Sequence, residues 1–182
     1  MSTHRSRRLG ALTGLIPLLA LALAVFTAAA GPLQAAQEDL AEVSRLEYEG
    51  QKVDAFLLLK ELAPKGDPEA QYKLAGYYHY GYAGPANYQL ALEWYERAAR
   101  QGHTDAMLGV AILNAQDKIS IPQNKARAFT WLSIAATQLK DKDAQANVAT
   151  LRDKLKSEIS TAELQAALNE AMSFQPVPET QQ

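Results

Sequence analysis

The stretch ALEWYERAARQGHTDA, residues 91–106, decides the fold, because two other segments of the chain repeat its pattern. It aligns with AFLLLKELAPKGDPEA, residues 55–70, and with AFTWLSIAATQL, residues 128–139, at offsets of 36 and 37 residues. Self-similarity at a fixed period of about 20–50 residues is typical of repeat architectures. The chain is therefore predicted to stack copies of one supersecondary unit.

The apolar positions that the three segments share predict an α-helix. They fall at i, i+3, i+4, i+7 and i+8, which together form one face of a helix. Large residues stand near the start and paired alanines near the end, an order that suits helices crossing closely at one end. The aligned columns are Ala55, Ala91 and Ala128; Leu58, Trp94 and Trp131; Leu59, Tyr95 and Leu132; Leu62, Ala98 and Ala135; and Ala63, Ala99 and Ala136.

Turn signals separate these helices from a second set. Gly66 and Gly102 follow the first two helices and are predicted to be stops with positive φ. Asp67 is the predicted N-cap of the next helix, and Thr104 or His103 takes that position one repeat later. Each unit is thus a helix, a short loop and a second helix. The predicted fold is an all-α solenoid of stacked helical hairpins.

The two ends of the predicted stack differ from its middle. Residues 38–49 form an acidic first helix, and strong helix formers after Lys140 predict a helical cap with a capping box at Ser160 and Glu163. Two prolines predict a short flexible tail after the cap. The boundaries are 38–141 for the repeats, 142–173 for the cap and 174–182 for the tail.

The N-terminal segment predicts export. Three arginines lie among the first eight residues, and residues 9–30 are uncharged and end in small side chains. This order is typical of a secretory signal peptide, so residues 1–35 are predicted to be one, cut within residues 30–36. An uncleaved anchor is the alternative, because the apolar run is long enough to span a bilayer. Ser6-Arg7-Arg8 leaves twin-arginine export open beside the general secretory route.

The export signal and the composition limit the expected location and partner classes of the domain. The domain is predicted to be periplasmic or secreted, or anchored in the inner membrane and facing the periplasm. Removal of residues 1–35 takes away three arginines and no acidic residue, which changes the net charge from −2 to −5. A domain of this net charge lacks the excess of positive charge that attracts nucleic acid. Membrane contact is expected only through an uncleaved N-terminal segment. Cysteine is absent, which excludes disulfides and thiolate nucleophiles.

The repeat positions resemble Sel1-like repeats, which are relatives of the tetratricopeptide repeat. The family pattern is A-x-x-x-L-G, then Y-x-x-G-x-G-V, then D-x-x-x-A-x-x-W-x-x-x-A-A-x-x-G, and the resemblance covers about residues 52–140. The matching residues are Ala70, Leu74, Tyr78, Gly81, Asn87, Ala91, Trp94, Ala98, Ala99 and Gly102, then Ala106, Asn124, Ala128, Trp131, Ala135 and Ala136. The departures are Ala75 and Ala83 for glycine, Asn87 and Asn124 for aspartate, and Asp117 for the second repeat's equivalent of Gly81.

The resemblance implies a function class. Sel1-like proteins generally act as scaffolds, so we expect a non-catalytic adaptor that holds a protein or peptide partner in the bacterial cell envelope. The alternative is an envelope enzyme or a protein that interacts with peptidoglycan or β-lactams, as a disulfide-stapled subgroup of the family does. The lack of cysteine separates this chain from that subgroup.

The search for catalytic residues is negative. There is no H-E-x-x-H, no serine followed three residues later by lysine, no G-x-S-x-G and no phosphate-binding glycine loop. No metal or cofactor is predicted. Glu93 with Arg97 and Glu96 with Arg100 have i, i+4 spacing, which predicts surface ion pairs that contribute about 0.3–0.5 kcal/mol each.

A tyrosine cluster is the candidate binding site. Tyr77, His79, Tyr80 and Tyr82 lie close together in sequence, and successive helical positions cannot all face inward. Tyrosine offers a large contact area at low entropic cost, so these four residues are predicted to form part of a partner surface. The structural alternative is core packing. Packing between repeats is the predicted role of Tyr78, at the family's tyrosine position, and of Tyr88.

Overall fold

Eight α-helices and no β-strand form the residues that the computed structural model describes, which are 32–116 and 123–179. In chain order they are α1 (Pro32–Tyr48), α2 (Lys52–Leu62), α3 (Pro68–Tyr80), α4 (Tyr88–Arg100), α5 (Thr104–Ala115), α6 (Lys125–Ala136), α7 (Lys142–Glu158) and α8 (Thr161–Ser173). A 3₁₀ turn, Ala63–Lys65, follows α2. This architecture confirms the predicted all-α repeat fold. None of the described helices is long and apolar enough to cross a membrane.

The chain divides into two compact units, Met1–Glu38 and Asp39–Gln182. Of the first unit the structure describes only the start of α1, so the predicted signal peptide falls almost wholly outside the described residues. Helix α1 begins at Pro32, six residues before the predicted start at Glu38. A proline is tolerated in the first helical turn, and the leucine, glutamine and alanines that follow it are strong helix formers.

An N-cap side chain precedes each helix of the two repeats. Asp67 accepts a hydrogen bond from the backbone N–H three residues on at 2.8 Å, and Asn87 and Asn124 do the same at 3.0 and 2.9 Å. The two asparagines thus replace the family's aspartate without loss, because both residue types are strong N-caps. At α5 the cap is the Nδ1 atom of His103, 3.2 Å from the N–H of Ala106.

Glycines end the first units as predicted. Gly66 and Gly102 both have φ of 96°, a conformation that a side chain would strain. The third helix of this series, α6, ends instead in right-handed conformation at Thr137. Asp117, which stands at the family's glycine position in the second repeat, lies outside the described residues.

Consecutive helices from α3 to α6 pack against one another, and both α7 and α8 pack on α6. One aligned alanine column, Ala55, Ala91 and Ala128, lies fully buried in the core. Small side chains at these positions let the helix backbones approach closely. Tyr78 and Trp94 contact both core clusters, one on α1–α3 and the other on α3–α8. The family's signature residues therefore join the two clusters into one stack.

The last helices follow the predicted pattern. Ser160 and Glu163 form the reciprocal capping box, with both the side-chain and the backbone bond present. Val148 and Leu155 of α7 and Ala167 of α8 are buried. These residues cover the outer side of α6, which would otherwise expose its apolar face.

The residues after α8 correct one prediction. Phe174–Glu179 do not form a free tail: they lie against the repeats, without helix or strand from Phe174 to Pro178. The Phe174 ring is edge-on to Trp131 at 5.7 Å, the Val177 N–H donates to the Arg100 carbonyl at 3.0 Å, and Glu179 pairs with Arg97. Residues 180–182 lie outside the described residues.

The buried ring of Tyr95 lies between two mid-helix glycines. Because its distance from them differs, adding a methyl group at each glycine should have opposite effects on stability. At Gly109 a Cβ atom would lie 2.9 Å from the Tyr95 ring, whereas at Gly76 it would lie 3.8 Å from the Tyr95 hydroxyl. We expect Gly76→Ala to raise the free energy of unfolding by about 0.5–1 kcal/mol through helix propensity. Gly109→Ala should lower it by about 1–2 kcal/mol through overpacking. Urea unfolding of both variants measures this, and equal stabilisation would contradict the packing described.

Candidate functional site

The end of α3 points four consecutive aromatic side chains in four directions. Successive residues of a helix are about 100° apart, so Tyr77, Tyr78, His79 and Tyr80 cannot share one face. Tyr77 is buried with 4% of its surface exposed, Tyr78 and His79 are half-buried, and Tyr80 is 61% exposed. Helix α3 then stops at Gly81, whose φ of 69° turns the chain and places Tyr82 beside Tyr80.

The exposed part of this cluster is an ordered stack of rings. Tyr80 stacks on His79 at a centroid distance of 4.4 Å and on Tyr82 at 5.4 Å. Tyr82, which is 47% exposed, also meets the edge of the Tyr77 ring at 5.5 Å. The ammonium of Lys52, on α2, lies 4.5 Å from the centre of the Tyr82 ring. We call Tyr80 and Tyr82 the tyrosine surface; its rings are already held in place.

Buried aromatic residues support the tyrosine surface from below. The Tyr95 hydroxyl lies 3.4 Å from His79 Nδ1, and the two rings are perpendicular at 5.9 Å. Tyr72 contacts the Tyr95 ring on one side and stacks on His103 at 4.6 Å on the other. Side chains from α3, α4 and the start of α5 therefore form one continuous aromatic layer.

Burial raises the pKa of the inner phenols. Burial, together with the neighbouring Glu47 carboxylate, raises the pKa of Tyr77 to about 12. Burial also raises the pKa of Tyr95 well above its usual range. Both hydroxyl groups therefore stay protonated even above the usual tyrosine pKa of about 10, where they still serve as hydrogen-bonding and packing groups.

The four residues predicted to form the surface differ in burial. Tyr80 and Tyr82 are exposed, and His79 lies beneath Tyr80. The placement of Tyr77 on the surface is wrong, because α1 and α2 cover this side of α3 and bury its ring in their core cluster. Tyr78 packs edge-on against Phe56 at 5.4 Å, which agrees with the structural role predicted for it.

A small apolar pocket opens between α2 and the loop after α3. Its volume is about 220 Å³, which suits a single side chain rather than a cofactor. It is lined by the rings of Phe56, Tyr77 and Tyr78 and by the loop residues Ala83, Gly84 and Pro85. The pocket shares Tyr77 with the tyrosine surface.

The helix pairs around the site match a known repeat family. Residues 68–103 and 104–138 match the Sel1 repeat family, and these ranges correspond to α3 with α4 and to α5 with α6. The chain contains two Sel1 repeats. Sel1 repeats typically mediate protein–protein interactions.

One solved structure with the same fold is the crystal structure of a protective antigen present in uropathogenic Escherichia coli strains, which displays an SLR fold. It matches with a TM-score of 0.65 at 19% sequence identity, over 76% of this chain. The match spans 29% of that antigen's length. At this identity the likeness concerns the fold. No curated protein is significantly similar to the chain in sequence.

Three of the four charged residues on α4 of the first Sel1 repeat form ion pairs. Glu96 pairs with Arg100 at 3.0 Å, as predicted, and also with Arg127 at 2.8 Å. Arg97 does not form the predicted pair with Glu93, because the carboxylate of Glu179 reaches it from the end of the chain. Among the described residues no group of His, Cys, Asp and Glu is placed to hold a metal ion.

The residues that bond Glu179 were not predicted from the sequence. Gln71 on α3 and Gln101 at the end of α4 both bond this residue, and neither belongs to the Sel1 signature. One signal was available. Pro176 and Pro178 fix their own φ and bias Gln175 and Val177 towards extended conformations, so the segment loses little entropy when it docks.

The difference in burial predicts that Tyr77 contributes much more to stability than Tyr80. Tyr77→Ala should lower the free energy of unfolding by about 3–5 kcal/mol, because it removes a ring from the core. Tyr80→Ala should change it by no more than about 1 kcal/mol, since the ring is mostly in solvent. Chemical denaturation measures both, with Tyr77→Phe as the control that keeps the ring. A similar loss in Tyr80→Ala would contradict its surface position.

Proposed function

We propose that this protein is an exported, non-catalytic adaptor of the bacterial cell envelope that binds a protein partner through its tyrosine surface. The observation that carries the proposal is the stack of Tyr80 and Tyr82 on His79. Contiguous exposed apolar groups, unlike single exposed side chains, often mark a surface that contacts another molecule. The two repeats supply a rigid frame of the kind that typically mediates protein–protein interaction.

Pre-ordered rings favour binding. Burial of a tyrosine removes about 150–250 Å² of surface from water, and its hydroxyl can bond the backbone of a partner. An interface residue that is mobile before binding loses rotamer freedom, at a cost of about 0.5–1.5 kcal/mol. Tyr80 and Tyr82 avoid much of this cost because His79 and Tyr77 already hold their rings.

The chemistry of the surface indicates a partner with apolar and acidic groups. Lys52 extends the tyrosine surface with a positive charge, and the adjacent pocket accepts one apolar side chain. An aromatic or aliphatic anchor beside a carboxylate would complement both features. Anchors of this type, seated in a pocket, commonly dominate the energetics of protein interfaces.

Partner capture tests the tyrosine surface. The double variant Tyr80→Ala/Tyr82→Ala should retain its melting temperature within a few degrees and lose capture of the partner from envelope extract by about tenfold or more. Met172→Ala is the matched control, because it removes an 84% exposed apolar side chain at the other end of the described chain. Quantitative mass spectrometry of the captured proteins gives the comparison. Equal capture by the double variant and the control would sink the proposed surface.

Export has its own test. The basic, apolar and small-residue order of residues 1–35 supports a signal peptide. When the full chain is expressed in a Gram-negative host, we expect a periplasmic product whose intact mass places its first residue within residues 30–36. Deletion of ten apolar residues from the segment should leave the product in the cytoplasm. A wild-type product in the cytoplasm with residues 1–35 retained would contradict export.

A further inference from the structure

The segment Phe174–Glu179 runs back across both Sel1 repeats. It starts against Trp131 on α6, passes Gly102 at Pro176, and ends at Gly66 with Glu179. Between these points the Val177 N–H donates to the carbonyl of Arg100 at 3.0 Å. We call the surface under this segment the tail groove; it is distinct from the tyrosine surface.

The spacing of the segment matches the spacing of the repeats. Gly66 and Gly102 are equivalent glycines 36 residues apart, and the residues that lie on them, Glu179 and Pro176, are three residues apart. An extended proline-rich chain advances about 9.3 Å in three residues, and Gln101, the neighbour of Gly102, reaches the Gly66 carbonyl with its side chain at 2.9 Å. Added Cβ atoms at Gly102 and Gly66 would lie 3.2 and 3.5 Å from the segment, so the glycines also permit the close approach.

A carboxylate clamp ends the groove. Arg97 donates from Nε and Nη2 to the two carboxylate oxygens of Glu179, each at 2.8 Å, in the bidentate geometry that makes such pairs strong. Gln71 Nε2 adds a third bond at 2.9 Å, and the Glu179 N–H donates to Gln101 Oε1 at 3.2 Å. The Arg97 guanidinium holds the pKa of the Glu179 carboxyl below its usual range.

The clamp is held in place without the segment. Gln71 is fully buried, yet it also donates to the Ala63 carbonyl at 3.2 Å and accepts from Gln101 Nε2 at 2.8 Å. Gln101 is further fixed to the Gly66 carbonyl at 2.9 Å. Arg97 stacks over the Trp94 ring at 4.3 Å. When Glu179 departs, Gln71 keeps its bonds to Ala63 and Gln101, and one of its N–H groups is left to be bonded by another carboxylate.

The segment itself is only lightly held. Residues 175–178 are exposed, and the ordered contacts are one ring pair, one backbone bond and the clamp. A tethered segment of this kind competes chiefly through its high effective concentration, which is about millimolar for short linkers. Loss of one strong contact should therefore free the groove.

We propose that the tail groove is a binding site for an extended, proline-containing acidic segment of a partner protein, which residues 174–179 occupy as an internal competitor. The site goes beyond the adaptor surface proposed above and has a different ligand class. An aromatic residue would take the place of Phe174 on Trp131. A carboxylate five residues later would take the place of Glu179 on Arg97.

A synthetic peptide with the sequence SFQPVPET, capped at both ends and labelled with fluorescein, tests the proposal by fluorescence anisotropy. Glu179→Ala in the full chain should bind it at least about tenfold more tightly than wild type, because the internal competitor has lost its clamp. Adding Arg97→Ala to that variant should abolish the gain. The control peptide, SFQPVPQT, should bind Glu179→Ala about tenfold more weakly than the acidic one.

A second measurement tests the proposal even if the Glu179→Ala variant fails to fold. The chain has no cysteine, so Gln175→Cys accepts a single environment-sensitive dye on the otherwise unaltered tail. Excess unlabelled SFQPVPET should shift its emission, and SFQPVPQT should not. Equal affinity of wild type and Glu179→Ala, no preference for the acidic peptide, or no displacement of the dye would each overturn the proposal. Exchange of the tail between two copies in a dimer would do so as well, since a second copy would then be the occupant.

Discussion

The position of the Tyr95 ring is the constraint on which both the repeat packing and the candidate site depend. The ring lies directly over Gly109 of α5, and its hydroxyl approaches Gly76 of α3. A larger side chain at Gly109 would push α4 and α5 apart, so the contact sets how closely the two Sel1 repeats pack. The same hydroxyl meets His79, on which the exposed tyrosines stack. Core packing therefore decides how the surface is presented.

The two proposed surfaces use different chemistry on one rigid frame. The tyrosine surface offers stacked rings beside an ammonium group, whereas the tail groove offers a bidentate guanidinium and a backbone carbonyl. Both are held by contacts that do not involve a ligand, through His79 in one case and Gln71 with Gln101 in the other. A repeat protein can thus present two pre-formed sites without ordering a loop when it binds.

Features that depend on neighbouring residues in the chain were predicted well. The stops at Gly66 and Gly102 and the caps at Asp67 and Ser160 depend on local backbone chemistry, and the structure has them as predicted. The start of α1 was misplaced, because helix propensity without a stop signal does not mark a boundary. The candidate site was predicted in part: the cluster was recognised, but the exposed rings were not distinguished from Tyr77.

The sequence by itself determined the repeat period, the all-α fold and the location of the aromatic cluster, because each follows from spacing along the chain. Only the tertiary structure decided that Tyr77 is core, that Tyr80 and Tyr82 are exposed, and that Glu179 reaches Arg97. Whether a side chain is buried or exposed depends on which helices cover its side of the parent helix. Contact between α4 and a segment 82 residues away depends on how the whole stack folds back, which no local pattern encodes.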